Sequence, residues 1–112
     1  MMAIRAMIVK PGQRPSVSYI DNDLQTLQAL VDGPIEALTY AGCCLIVNEE
    51  GKLRADLVPN RDLYDGDGFY HDTLFGTIVI VGADGDEFVG LTHRQVDQWR
   101  EAIDLLCIRL WW

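Results

Sequence analysis

A chain of 112 residues with 49% hydrophobic and 23% charged residues has the size and composition of one globular domain, 1–112, and is neither a disordered nor a fibrous protein. Nine Lys and Arg against 17 Asp and Glu leave a net charge of −8. The basic residues are spread singly along the chain, so direct binding to nucleic acid or to an anionic membrane surface is not expected, whereas a basic protein partner suits the charge and solubility alone also accounts for it.

Met1 to Val9 is too poor in apolar residues for a signal-peptide core, and no stretch approaches the roughly 20 apolar residues of a membrane span. Cys43 and Cys44 are adjacent and Cys107 is distant, which is neither a disulfide framework nor a zinc spacing. A reducing, cytoplasmic setting is the expectation.

Ile4–Val9 reads as a strand ended by Pro11-Gly12, and Ser16–Ile20 as its hairpin partner. Asp21-Asn22-Asp23 supplies capping side chains for a short helix through Leu24, Leu27, Leu30 and Val31, which Asp32-Gly33-Pro34 stops. Two strands follow, 35–40 and 43–48, joined at Ala41-Gly42, with a turn at Asn48-Glu49-Glu50-Gly51. The segment 54–75 shows no sustained period and reads as the longest irregular stretch. Thr77–Val81 and Phe88–Leu91 form a second hairpin around an acidic turn. Thr92-x-x-Gln95 is a capping box, and Val96, Trp99, Ile103, Leu106 and Leu110 share one face of a long last helix. These elements predict an α+β fold with a small mixed or antiparallel sheet of about five to six strands, one short helix and one long C-terminal helix.

From Ala102 to Trp112 only Asp104 and Arg109 are charged, so apolar side chains fall on every face of the tail. Leaving several in water forgoes roughly 1.5–3 kcal/mol each, which favours a partner or a second copy of the chain. Trp99, Ile108, Trp111 and Trp112 are the expected interface residues of a homodimer; the alternative is a helix end tucked into its own core.

Catalytic constellations are sparse. His71 and His93 lack partners at ligand spacing, and Asp65-Gly66-Asp67-Gly68 departs from the EF-hand pattern because Gly76 stands where a Glu is needed. Cys43 and Cys44 on one strand point to opposite faces, so they cannot converge on one ion. No phosphate loop or nucleophile elbow is present, and no cofactor or metal is expected. Asn48, Glu49, Lys52, Asn60, Arg61 and Tyr64 form the candidate recognition surface, with turn fixation as the structural role of both asparagines.

The segments Ile8-Val9-Lys10-Pro11-Gly12, Asn48-Glu49-Glu50-Gly51-Lys52-Leu53, Pro59-Asn60-Arg61 and the stretch Gly76 to Gln95 resemble an uncharacterised domain-of-unknown-function family of small phage and plasmid proteins, over roughly residues 5–100. The resemblance implies a cytoplasmic accessory protein of a mobile element in a bacterial host cell and transfers no catalytic or ligand-binding residue. Together these features predict a non-enzymatic protein-interaction protein, with an acidic inhibitor of a host defence system as one form. The alternative is a binder of a nucleotide-like small molecule, or a minor enzyme, using Asn60, Arg61, Tyr64 and His71.

Overall fold

The computed structural model describes residues 3–64, 67–105 and 108–110. The chain opens with the antiparallel hairpin β1 (Ala3–Val9) and β2 (Ser16–Asp21), followed by α1 (Leu24–Val31). Asp23 caps α1 by accepting a hydrogen bond from the Thr26 N–H at 2.7 Å, and Asp32 ends it in the left-handed region at φ 63°. Next comes the hairpin β3 (Ile35–Tyr40) and β4 (Cys43–Asn48); its two turn residues, Ala41 and Gly42, both take positive φ, as a two-residue hairpin with the native twist requires.

β5 (Pro59–Tyr64) and β6 (Tyr70–Phe75) pair antiparallel with each other. β7 (Ile78–Asp84) and β8 (Glu87–Val89) form the later hairpin. The last elements are α2 (His93–Leu105) and β9 (Ile108–Leu110), which pairs with β5. The main sheet runs β2-β1-β7-β4-β3 with β8 alongside β7, all antiparallel, and the smaller sheet runs β6-β5-β9. The α+β expectation therefore holds, with a second small sheet added.

Strand alternation sends side chains to two separate cores. Met7, Val9, Cys43, Leu45, Ile78 and Ile80 face Val96, Trp99 and Ile103 of α2 and Leu63 and Leu74 of the small sheet. Ala6, Ile8, Cys44, Ile46, Val79 and Val81 face Leu27 and Val31 of α1. Burial on both faces explains why β4 and β7 read as unbroken apolar runs rather than as alternating ones. Cys43 and Cys44 do lie on opposite faces, one in each core. The capping box is reciprocal: the Thr92 N–H donates to Gln95 Oε1 at 2.9 Å and the Gln95 N–H donates to Thr92 Oγ1 at 3.1 Å.

Three expectations are corrected. The segment 54–75 contains β5 and β6 rather than one irregular loop; their pairing is broken by register shifts, and β5 buries the polar run Asn60, Arg61 and Asp62, so no alternation survives in the sequence. The last helix stops at Leu105, and 108–110 turn back as a strand. Trp99, expected at an interface, is 4% exposed in the core, where its indole N–H donates to Cys43 Sγ at 3.3 Å. Trp111 and Trp112 lie outside the described residues, and Ile108 is placed only through its backbone pairing with Leu63. No helix among the described residues is long and apolar enough to cross a membrane.

Two stability measurements check this account. Leu45 is fully buried at the centre of β4, so Leu45→Ala should lower the free energy of unfolding by about 2–5 kcal/mol in urea titration. The hydrogen bond from Thr26 holds the Asp23 carboxyl below the usual carboxylate range. Its contribution is thus fully present above the ordinary value of about 4 and is lost as pH falls through the lower folded value. The stability difference between the wild type and Asp23→Ala should therefore shrink as pH is lowered through that window.

Candidate functional site

β3 is the end strand of the main sheet, and the small sheet packs beneath it, leaving a hollow of about 400 Å³ between them. Its walls are Ala37, Leu38, Thr39 and Tyr40 of β3, Leu63 and Tyr64 of β5, and His71 and Asp72 of β6. A second hollow of about 230 Å³, lined among others by Glu36, Val47, Glu49, Lys52 and Phe75, shares Asp72 with the first. The two hollows adjoin at Asp72, the first against residues 37–40 and the second against Glu36 and the end of β4, and together they make up one groove.

Aromatic and hydroxyl groups hold the walls in place. The Tyr40 hydroxyl donates to the Tyr64 carbonyl at 3.2 Å, and the Tyr40 ring lies 6.1 Å from Trp99, which ties the end of β3 to β5 and α2. Tyr64 meets Tyr70 edge-on at 6.2 Å. Thr73 Oγ1 donates to buried Asp62 at 2.8 Å, so the Tyr70 hydroxyl, 2.8 Å from the same oxygen, is the donor to Thr73. At the rim Lys52 is ion-paired with Asp72, and that hydrogen bond raises the Lys52 ammonium above its ordinary value. The Asp72 carboxylate also accepts from the Thr73 N–H at 2.9 Å, which fixes its orientation.

The sequence-predicted recognition residues divide between this groove and the interior. Glu49 and Lys52 are exposed beside the second hollow, and half-buried Tyr64 forms a wall of the first. Asn48 is buried: its amide donates to the Val31 and Asp32 carbonyls at 3.0 Å each, closing the end of α1, and its Oδ1 accepts from the Glu50 N–H at 2.7 Å. A Cβ on Gly33 would lie 2.7 Å from that amide, so this approach requires glycine.

Asn60, 1% exposed, donates to the carbonyls of Val9 and Gly76 at 2.8 Å each and so ties β5 to the ends of β1 and β6. Arg61, also 1% exposed, donates to Asn60 Oδ1 at 2.7 Å and to the Gln13 carbonyl at 3.5 Å. Both side chains act within the fold, out of reach of a ligand arriving from solvent. The groove residues Leu38, Thr39 and Tyr40 carried no functional mark in the sequence, since only the sheet order places them at an edge.

Nucleophile and metal chemistry find little support here. Burial, reinforced by neighbouring Cys43, pushes the Cys44 thiol up, the opposite of what a thiolate nucleophile needs. Among the described residues no group of three or more His, Cys, Asp or Glu side chains is placed to share a metal ion. What the groove offers is shape, two tyrosine side chains, carboxylates, the His71 imidazole and a strand edge.

A family model described as a domain of unknown function, DUF3846, matches residues 4–104. The chain belongs to the DUF3846 family. No curated protein and no solved structure matches the chain. The DUF3846 match takes in the main sheet, the β5–β6 hairpin and the groove between them, whereas β9 lies beyond it.

Asn60→Ala should lower stability by about 2–4 kcal/mol, because two buried carbonyls and a buried guanidinium each lose a partner. Lys52→Ala, which breaks an ion pair whose lysine side chain is 61% exposed, should change it by less than about 1 kcal/mol. Parallel urea titrations of the two variants separate the internal ties from the rim.

Proposed function

We propose that this DUF3846 protein is a non-enzymatic binding protein of a phage or plasmid, acting in the cytoplasm of a bacterial host by engaging another protein. Inhibition of a host defence system is one concrete form of that role. The observation that carries the proposal is the groove along the β3 edge, where an exposed strand, tyrosine rings and carboxylates meet at the surface. The net charge of −8 favours a basic partner and speeds its approach. Binding of a nucleotide-like ligand through Asn60 and Arg61 has less support, because both are 1% exposed and bonded within the fold.

Recovery of the tagged full chain from host lysate, with mass spectrometry of bound proteins and of small molecules released by denaturation, tests the proposal. The expected result is a stoichiometric protein partner whose recovery falls as salt rises and falls again when Glu36, Glu49 and Glu50 are reversed to lysine. A metabolite recovered with no protein would overturn it.

A further inference from the structure

The Ala41-Gly42 turn sets which atoms of β3 face outward. In a two-residue hairpin the pair flanking the turn, Tyr40 and Cys43, exchanges backbone hydrogen bonds, and the pattern alternates along the ladder. Leu38 with Leu45 and Glu36 with Val47 are therefore the other bonded pairs, so Ala37 and Thr39 turn their N–H and C=O groups away from β4. No strand among the described residues pairs with that outer side. β3 also carries few of the usual protections of an edge: Glu36 is charged, but the strand contains neither proline nor lysine, its register with β4 is unbroken, and Ala37 and Thr39 are exposed.

The groove lies along this same edge. Leu38 and Tyr40 alternate with Ala37 and Thr39 and line the larger hollow together with Tyr64 and Asp72. A hollow of about 400 Å³ accommodates one long side chain between the strand and the small sheet. The rim is acidic: Glu36 and Glu49 are exposed beside the second hollow, and Lys52 on the same hollow is ion-paired with Asp72.

We propose that the outer edge of β3 is a docking site at which an extended basic segment of a partner protein adds as a further strand, laying an arginine or lysine between Tyr40 and Tyr64 toward Asp72. Backbone hydrogen bonds to Ala37 and Thr39 supply sequence-independent affinity, and the hollow selects the side chain. A cation there meets two tyrosine side chains and the Asp72 carboxylate, which the Thr73 N–H orients and which the cation shares with, or takes over from, exposed Lys52. This rests on the protein-interaction reading and names the surface and the partner chemistry for it.

Selection of displayed short random peptides on the immobilised full chain tests the proposal. Enriched peptides should carry Arg or Lys at one fixed position within a β-prone stretch. Their affinity should fall about tenfold or more for Asp72→Asn and for Thr39→Pro, which removes an outward N–H that β4 does not use. In case Thr39→Pro perturbs folding, the wild-type chain gives an independent reading: a selected peptide should shift the Ala37 and Thr39 amide resonances and slow their hydrogen exchange.

Absence of any enriched peptide, enrichment without a basic position, or unmoved Ala37 and Thr39 amides would each overturn the docking site. A lysate partner that Thr39→Pro retains, with those amides unmoved, removes the β3 site and leaves the protein-interaction reading standing. Neither a lysate partner nor a peptide removes both.

Discussion

Ile78, Val79, Ile80 and Val81 have no exposed surface, and both cores of the molecule meet on this one strand. A strand this apolar demands a covering layer on each face and a hydrogen-bonding neighbour along each edge, since unpaired backbone groups in the interior are costly. β7 obtains its neighbours from β1 and β8 on one edge and β4 on the other. Its faces are covered by α1 on one side and by α2 with the small sheet on the other. The strand order, the two-sided layering and the position of β3 at the end of the sheet all follow from centring the fold on β7.

The small sheet cannot cover its side of the main sheet with apolar residues alone, because β5 runs polar through Asn60, Arg61 and Asp62. Asn60 and Asp62 are bonded to the ends of neighbouring strands and to Thr73, and Arg61 to Asn60 Oδ1. That solution ties the small sheet down near Val9 and Gly76 and, through Tyr40 and Tyr64, at the far end of β3. Between those ties the sheets part, and the groove is the space left. Asn60 and Arg61 are thus occupied in holding the layers together, while the strand edge and its acidic rim face solvent.

Much of the fold was legible in the residues because it depends on neighbours close in sequence. The caps at Asp23 and Thr92, the stop at Asp32-Gly33-Pro34 and the Ala41-Gly42 hairpin each involve groups a few residues apart, so residue type and spacing suffice. The opposite placement of Cys43 and Cys44 followed from strand geometry alone. β5 and β6 were hidden because bulged pairing and buried polar residues erase the alternation by which a strand is recognised. The candidate surface was legible in part: Glu49, Lys52 and Tyr64 border the groove, whereas Asn60 and Arg61 belong to the interior.

The sequence by itself determined the fold class, the hairpins, the helix termini and the acidic character, since each rests on local conformational preference, hydrophobic pattern or charge count. Which strand ends the sheet, which polar residues are buried and where an opening remains were decided only by tertiary structure. Those properties depend on contacts between residues tens of positions apart, such as Asn60 with Val9 and Trp99 with Cys43, and no local pattern encodes such distances. Thr39 carries no mark of function in its own segment; it becomes an edge residue beside a groove only when β7 takes the centre and β3 is left outermost.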